Sequence, residues 1–181
     1  MNRSIVRIAC ALTLCGAMTA AFAMQDAKPE KSAAQRAFDR LKETAGEWIS
    51  REDADKPNPD VWVSRRVTSN GSVILEDMFP GSNHEMITMY YVEGDHLVLV
   101  HYCALGNQPM MTCKPGDGDE YKFEFAGGGN IKPDKDMHMH DATMRLTGKD
   151  SMWAEWRSWN DGKQMDSVVF DLIRKPKSAD K

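Results

Sequence analysis

The sequence predicts an all-β fold: an up-and-down antiparallel barrel of about ten strands with one short N-terminal helix. Three observations carry this. Apolar and polar residues alternate through most of the chain from Val61 to Ile173, the period of strands with one buried face. Turn chemistry interrupts the alternation at short intervals: Asn70-Gly71, Pro80-Gly81, Gly94-Asp95, Gly106-Asn107, Gly116-Asp117-Gly118, Gly148-Lys149 and Asp161-Gly162. No glycine-rich phosphate loop, alternating helix–strand pattern or repeat period competes with that reading. A long meander of hairpins removes its exposed edges by closing on itself.

The elements follow in order. Met1 to Ala23 reads as a secretory signal peptide, with basic Arg3 and Arg7, an apolar run from Ile8 to Met18 and a small-x-small site at Ala21-Phe22-Ala23. That run is short for a membrane span and no second one follows. The mature form is therefore expected to have no transmembrane segment and a periplasmic or extracellular location. Residues 24–31 form a polar leader. Ser32 is the expected N-cap of a helix whose Phe38, Leu41, Ala45 and Trp48 share one side. Gly46 is expected to end it and open a strand at 47–51. Further strands are expected at about 61–68, 72–79, 84–92, 96–103, 109–114, 121–126, 138–147, 151–159 and 163–173. The longest connection is then 126–137, a rim loop or a hairpin of its own. The barrel domain spans 32–174, and 175–181 is a charged tail.

A chain of 181 residues with a net charge of −4 suits one domain with a full core. Loss of Arg3 and Arg7 makes the balance more negative, and the remaining basic residues are scattered, which gives no footprint for nucleic acid. A monomer or weak oligomer is expected. Cys10 and Cys15 leave with the signal. Cys103 and Cys113 flank a loop, where a disulfide across the hairpin and a free pair are both open.

Histidines carry the functional expectation. His101 alternates with Leu97, Leu99 and Cys103; His138 and His140 alternate with Ala142, Met144 and Leu146. An imidazole on an inward face needs a hydrogen bond, a metal or a ligand. His84, Tyr90, His101, Asn107, Gln108, His138 and His140 are the residues expected to line a partly polar cavity around a small-molecule ligand. His101, His138 and His140 are also a candidate set for zinc, copper or iron. No catalytic residue is assigned. On the strand at 151–159, Trp153, Glu155, Arg157 and Trp159 share one face, either a polar cavity wall or the solvent side. The many methionines suit adaptable cavity lining and core filling.

Leu41-Lys42-Glu43-Thr44-Ala45-Gly46-Glu47-Trp48 resembles the opening segment of lipocalin-like (calycin) barrels, where Gly-x-Trp begins the first strand. Phe79-Pro80-Gly81-Ser82-Asn83-His84-Glu85-Met86-Ile87-Thr88-Met89-Tyr90, His101-Tyr102-Cys103-Ala104-Leu105-Gly106-Asn107-Gln108-Pro109 and His138-Met139-His140 extend the likeness. Together they resemble a family of exported bacterial lipocalin-like proteins without an established biochemical function, over Leu41 to Arg174. The resemblance implies a barrel with an internal cavity and brings no catalytic residue. Three functions stay open: a barrel binding a small molecule, a histidine-coordinated metalloprotein or metal-dependent enzyme, and an envelope structural or interaction module with a packed barrel.

Overall fold

The computed structural model describes residues 30–176. The expected signal peptide, leader residues 24–29 and the tail from 177 lie outside the described residues. The chain forms helix α1 (Ala33–Lys42) and strands β1 (Gly46–Ser50), β2 (Val63–Thr68), β3 (Val73–Met78), β4 (Met86–Glu93), β5 (His96–Tyr102), β6 (Gln108–Cys113), β7 (Glu120–Gly129), β8 (His138–Gly148), β9 (Ser151–Asn160) and β10 (Lys163–Arg174). Every strand pairs antiparallel with its sequence neighbour, and β1 also pairs with β10, closing the barrel. No helix among the described residues is long and apolar enough to cross a membrane.

Helix α1 begins as its cap dictates: Ser32 Oγ accepts the Gln35 N–H at 3.1 Å. It buries Ala34, Ala37, Phe38 and Leu41 against one end of the barrel. Arg40 donates to the Gly118 carbonyl at 2.7 Å and Arg36 pairs with Asp117 at 2.6 Å, tying the helix to the β6–β7 loop. The helix stops at Lys42, four residues before the expected Gly46. Thr44 instead donates its hydroxyl to the Leu41 carbonyl at 2.6 Å and turns the chain. Gly46 serves the strand: its φ is +133°, and a Cβ there would lie 2.7 Å from Arg174 Nη1. That guanidinium lies over the Trp48 ring at 4.5 Å and donates to the Ala45 and Glu43 carbonyls. The first and last strands are thus locked together where the barrel closes.

Three strand ends shift by two residues or more, and one of them is β2, which opens at Val63 rather than 61. Strand β4 begins at Met86, because the turn after Phe79 runs on: Ser82 N–H bonds the Phe79 carbonyl, Glu85 N–H the Ser82 carbonyl, and Glu85 Oε2 accepts the Gly81 N–H. Strand β7 runs to Gly129, so the connection shrinks to 130–137. Gly127, Gly128 and Gly129 pair with Met110, Pro109 and Gln108. A Cβ on Gly128 would meet the Gln108 carbonyl oxygen at 2.3 Å, so only glycine permits this approach.

The loops at the helix end connect β2–β3, β4–β5, β6–β7 and β8–β9; those at the opposite end connect β1–β2, β3–β4, β5–β6, β7–β8 and β9–β10. The interior is closely filled by Trp48, Ile74, Tyr90, Leu97, Leu99, Met111, Tyr121, Phe123 and their neighbours. At the far end the rings of Trp62, Phe79 and Phe170 pack within about 6 Å of one another. The cysteine pair is free and buried. A bridge is not formed because Cys113 lies opposite Leu97 at one end of β5, while Cys103 follows β5 at the other.

Candidate functional site

Inside the barrel, one row of polar side chains crosses four adjacent strands. Register places Arg65 opposite Glu76, Glu76 opposite Thr88, and Thr88 opposite His101. All four are buried. Arg65 Nε and Nη2 both reach Glu76 Oε2 at 2.5 Å, and Arg65 Nη1 donates to Thr44 Oγ1 at 3.0 Å. The Tyr90 hydroxyl donates to Glu76 Oε1 at 2.9 Å. Burial opposes the Arg65 charge, but Glu76 and Tyr90 outweigh it and hold the guanidinium pKa above its usual value. Burial and the Glu76 charge push the Tyr90 phenol well up.

His101 Nδ1 lies 2.9 Å from Thr88 Oγ1, and its ring packs on Trp156 at 5.0 Å. Its Nε2 is buried without a partner. Burial lowers its pKa to about 4, so the ring is neutral at pH 7. Next to this row is a void of about 10 Å³, room for about one water molecule. Arg65, Glu76 and Tyr90 line it on one side; Met78, Met144, Met152, Trp156, Phe170 and Leu172 line the rest.

The far rim gathers most of the other expected residues. His138 Nδ1 lies 2.7 Å from the Asp136 carbonyl and its Nε2 lies 2.9 Å from His140 Nδ1. A carbonyl only accepts, so His138 carries its hydrogen on Nδ1. In the neutral pair His140 then donates from Nδ1, leaving its own Nε2 as an acceptor. Phe125 and Trp159 stack on the two sides of His140 at 5.0 and 4.1 Å. Burial, then the neighbouring His138, lower the His140 pKa. His140 is the extra residue of a register shift between Met139 and Asp141, which takes it out of the regular alternation, and its ring meets that of His138 at 5.2 Å.

The other expected residues divide. Asn107 is buried, donates to the Met137 carbonyl at 2.8 Å and leaves its Oδ1 unpartnered. Gln108 donates to the Gly106 carbonyl and accepts from Asn130, bracing the rim. His84 is exposed in the β3–β4 loop, outside the interior. His101 bonds Thr88 rather than joining His138 and His140. No group of three or more His, Cys, Asp or Glu side chains among the described residues could hold a metal ion.

Sequence reasoning missed Arg65, Glu76 and Thr88. The signal was there: Arg65 lies between Val63 and Val67, and Glu76 between Ile74 and Met78, each a charge at an inward position. The Asn70-Gly71 turn sets them opposite one another. On β9, Trp156 faces inward, while Arg157 bonds Asp141, Thr143 and Glu155. The face carrying Glu155 and Arg157 is thus the solvent side rather than a cavity wall, and there Arg157 and His140 line an open groove of about 580 Å³. A further groove near α1 has its charges paired within it, Arg40 with Asp119 at 3.0 Å and Arg174 with Asp150 at 2.8 Å.

The upper half of β10 completes the site. β1 pairs only with residues 172–174 of β10. Val168 lies opposite Trp156 on the inner face, yet 45% of it is exposed. The apolar inner surface therefore reaches solvent beside Phe170. No family model and no curated protein sequence matches the chain. The closed ten-strand barrel is compatible with a lipocalin-like fold, and a barrel of this kind can bind a small molecule.

Proposed function

We propose that this chain is an exported small-molecule-binding barrel whose ligand enters the interior beside Phe170 and settles between the methionines and the Arg65–Glu76–Tyr90 group. The observation that carries this reading is the buried Arg65–Glu76–Tyr90 group lining a void edged by methionines, on a polar row that ends farther along at an unpartnered His101 Nε2. Stability does not call for such a row. Replacing a buried ion pair by well-packed apolar side chains is often neutral or stabilises by about 1–4 kcal/mol. A polar group left without a partner in the same interior costs about 1–3 kcal/mol more.

In the resting barrel the void holds no more than about one water. Met78, Met144 and Met152 surround it, and their unbranched side chains change rotamer at little cost. Ligand binding then takes place by displacement of side chains around a fixed polar wall. The signal-like segment Met1–Ala23 supports export. Of the rim residues at the same end, His140 keeps an acceptor at Nε2, while both nitrogens of His138 are already bonded.

The test is native mass spectrometry on untagged protein prepared from the periplasm. The expected result is a retained organic mass, lost on denaturation. A mass equal to the bare polypeptide, together with no saturable binding of any apolar probe, refutes the reading.

A further inference from the structure

Among the described residues, Arg65 and Glu76 are the only buried side chains that carry full charges, and they neutralise one another. Three Arg65 contacts are taken: Nε and Nη2 by Glu76, Nη1 by Thr44. Glu76 is likewise occupied, with Oε2 on the guanidinium and Oε1 on Tyr90. His101, the remaining titratable group on that row, is kept uncharged by its burial. What is left over is dipolar. Arg65 Nη2 turns its second hydrogen toward the weak acceptor Met144 Sδ at 3.7 Å, and His101 Nε2 has no partner. His101 stands outside the void, behind Trp156; the void's walls besides Arg65, Glu76 and Tyr90 are thioether, aromatic and aliphatic.

We infer that the interior selects an uncharged, mainly apolar molecule bearing one neutral oxygen-containing head group, and that it rejects the carboxylate counterpart. This rests on the small-molecule reading above. A neutral carbonyl or hydroxyl oxygen accepts the Arg65 Nη2 hydrogen now directed at sulfur, a gain in hydrogen-bond quality without a change in buried charge. A carboxylate has to be stripped of water into a site whose only cation already has its anion. The exposed inner face at Val168 leads an apolar chain past Phe170 to that point.

The experiment compares two probes of identical chain and fluorophore: 11-(dansylamino)undecanoic acid, ionised at pH 8, and its methyl ester. Both are titrated into full-length processed protein and followed by dansyl emission. The expected result is saturable ester binding at least about 100-fold tighter than acid binding, the ratio set by burying an unmatched ion. Equal affinities, or tighter binding of the acid, overturn the inference and leave the small-molecule reading standing. Binding of neither probe overturns both. Glu76→Gln leaves the Arg65 charge unmatched, so this variant, checked for a native circular dichroism spectrum, shifts preference toward the acid. A folded Glu76→Gln variant with unchanged preference refutes the charge argument, and the wild-type comparison stands by itself if that variant does not fold.

Discussion

The Arg65–Glu76 pair offers the sharpest test of how this interior is built. Their side chains are 4% and 3% exposed, so solvent screens the pair very little. Arg65→Met leaves Glu76 as an uncompensated buried anion, and Glu76→Leu leaves Arg65 as an uncompensated cation. Removal of one partner of such a pair costs about 3–5 kcal/mol. Removal of both eliminates the charge problem and leaves chiefly the Tyr90 and Thr44 hydroxyls to find new partners, at about 1–3 kcal/mol. The double variant is thus expected to be more stable than either single one, with a coupling energy of several kcal/mol. Urea unfolding followed by tryptophan fluorescence measures this, and thermal midpoints of the single variants should fall by roughly 6–20 °C. Additive losses, or single losses below about 1 kcal/mol, would show that the pair is not buried as described.

Four further outcomes follow from the same geometry. His101 has a folded pKa of about 4 against an ordinary value of 6.5, so the unfolded chain takes up its proton first as pH falls. The stability it confers is complete above pH 6.5 and lost between about 6.5 and 4, to an extent of about 3 kcal/mol; His101→Gln should flatten the urea midpoint over that range. Gly46→Ala forces a Cβ against Arg174 in a left-handed backbone region and should cost about 1–3 kcal/mol by denaturant unfolding. Alkylation in denaturant without reductant should modify both Cys103 and Cys113, and burial should slow the reaction in native protein. His138→Ala removes the acceptor of His140 Nδ1, so ¹⁵N-detected tautomer signals of His140 should change from a single Nδ1–H form to a mixture.

The fold was open to sequence reading because its information is local. Alternation sets which face of each strand is apolar, and pairs such as Asn70-Gly71 and Asp161-Gly162 set where strands reverse. Ten strands and the Ser32 cap follow from that alone. Where reading went astray, a contact between distant residues decided. Gly127–Gly129 resembles a loop by composition, yet belongs to β7 because Gln108 and Pro109 lie close against it. Gly46 resembles a helix stop, yet its freedom is used by Arg174, which arrives from the last strand.

The site divides along the same line. That His101 faces inward and is titratable was evident from its period of two; the same period carries the inward charges of Arg65 and Glu76, which the sequence reading passed over. Sequence also determined the barrel class and the hairpin order, since both depend on neighbours a few residues apart. Tertiary structure decided the rest. It set the neutral balance of the interior, the near absence of empty volume, the bulge that stacks His140 between Phe125 and Trp159, and the separation of the two cysteines. Each of these depends on how strands far apart in sequence approach in three dimensions, and on which side chains then compete for one volume and one hydrogen-bond partner.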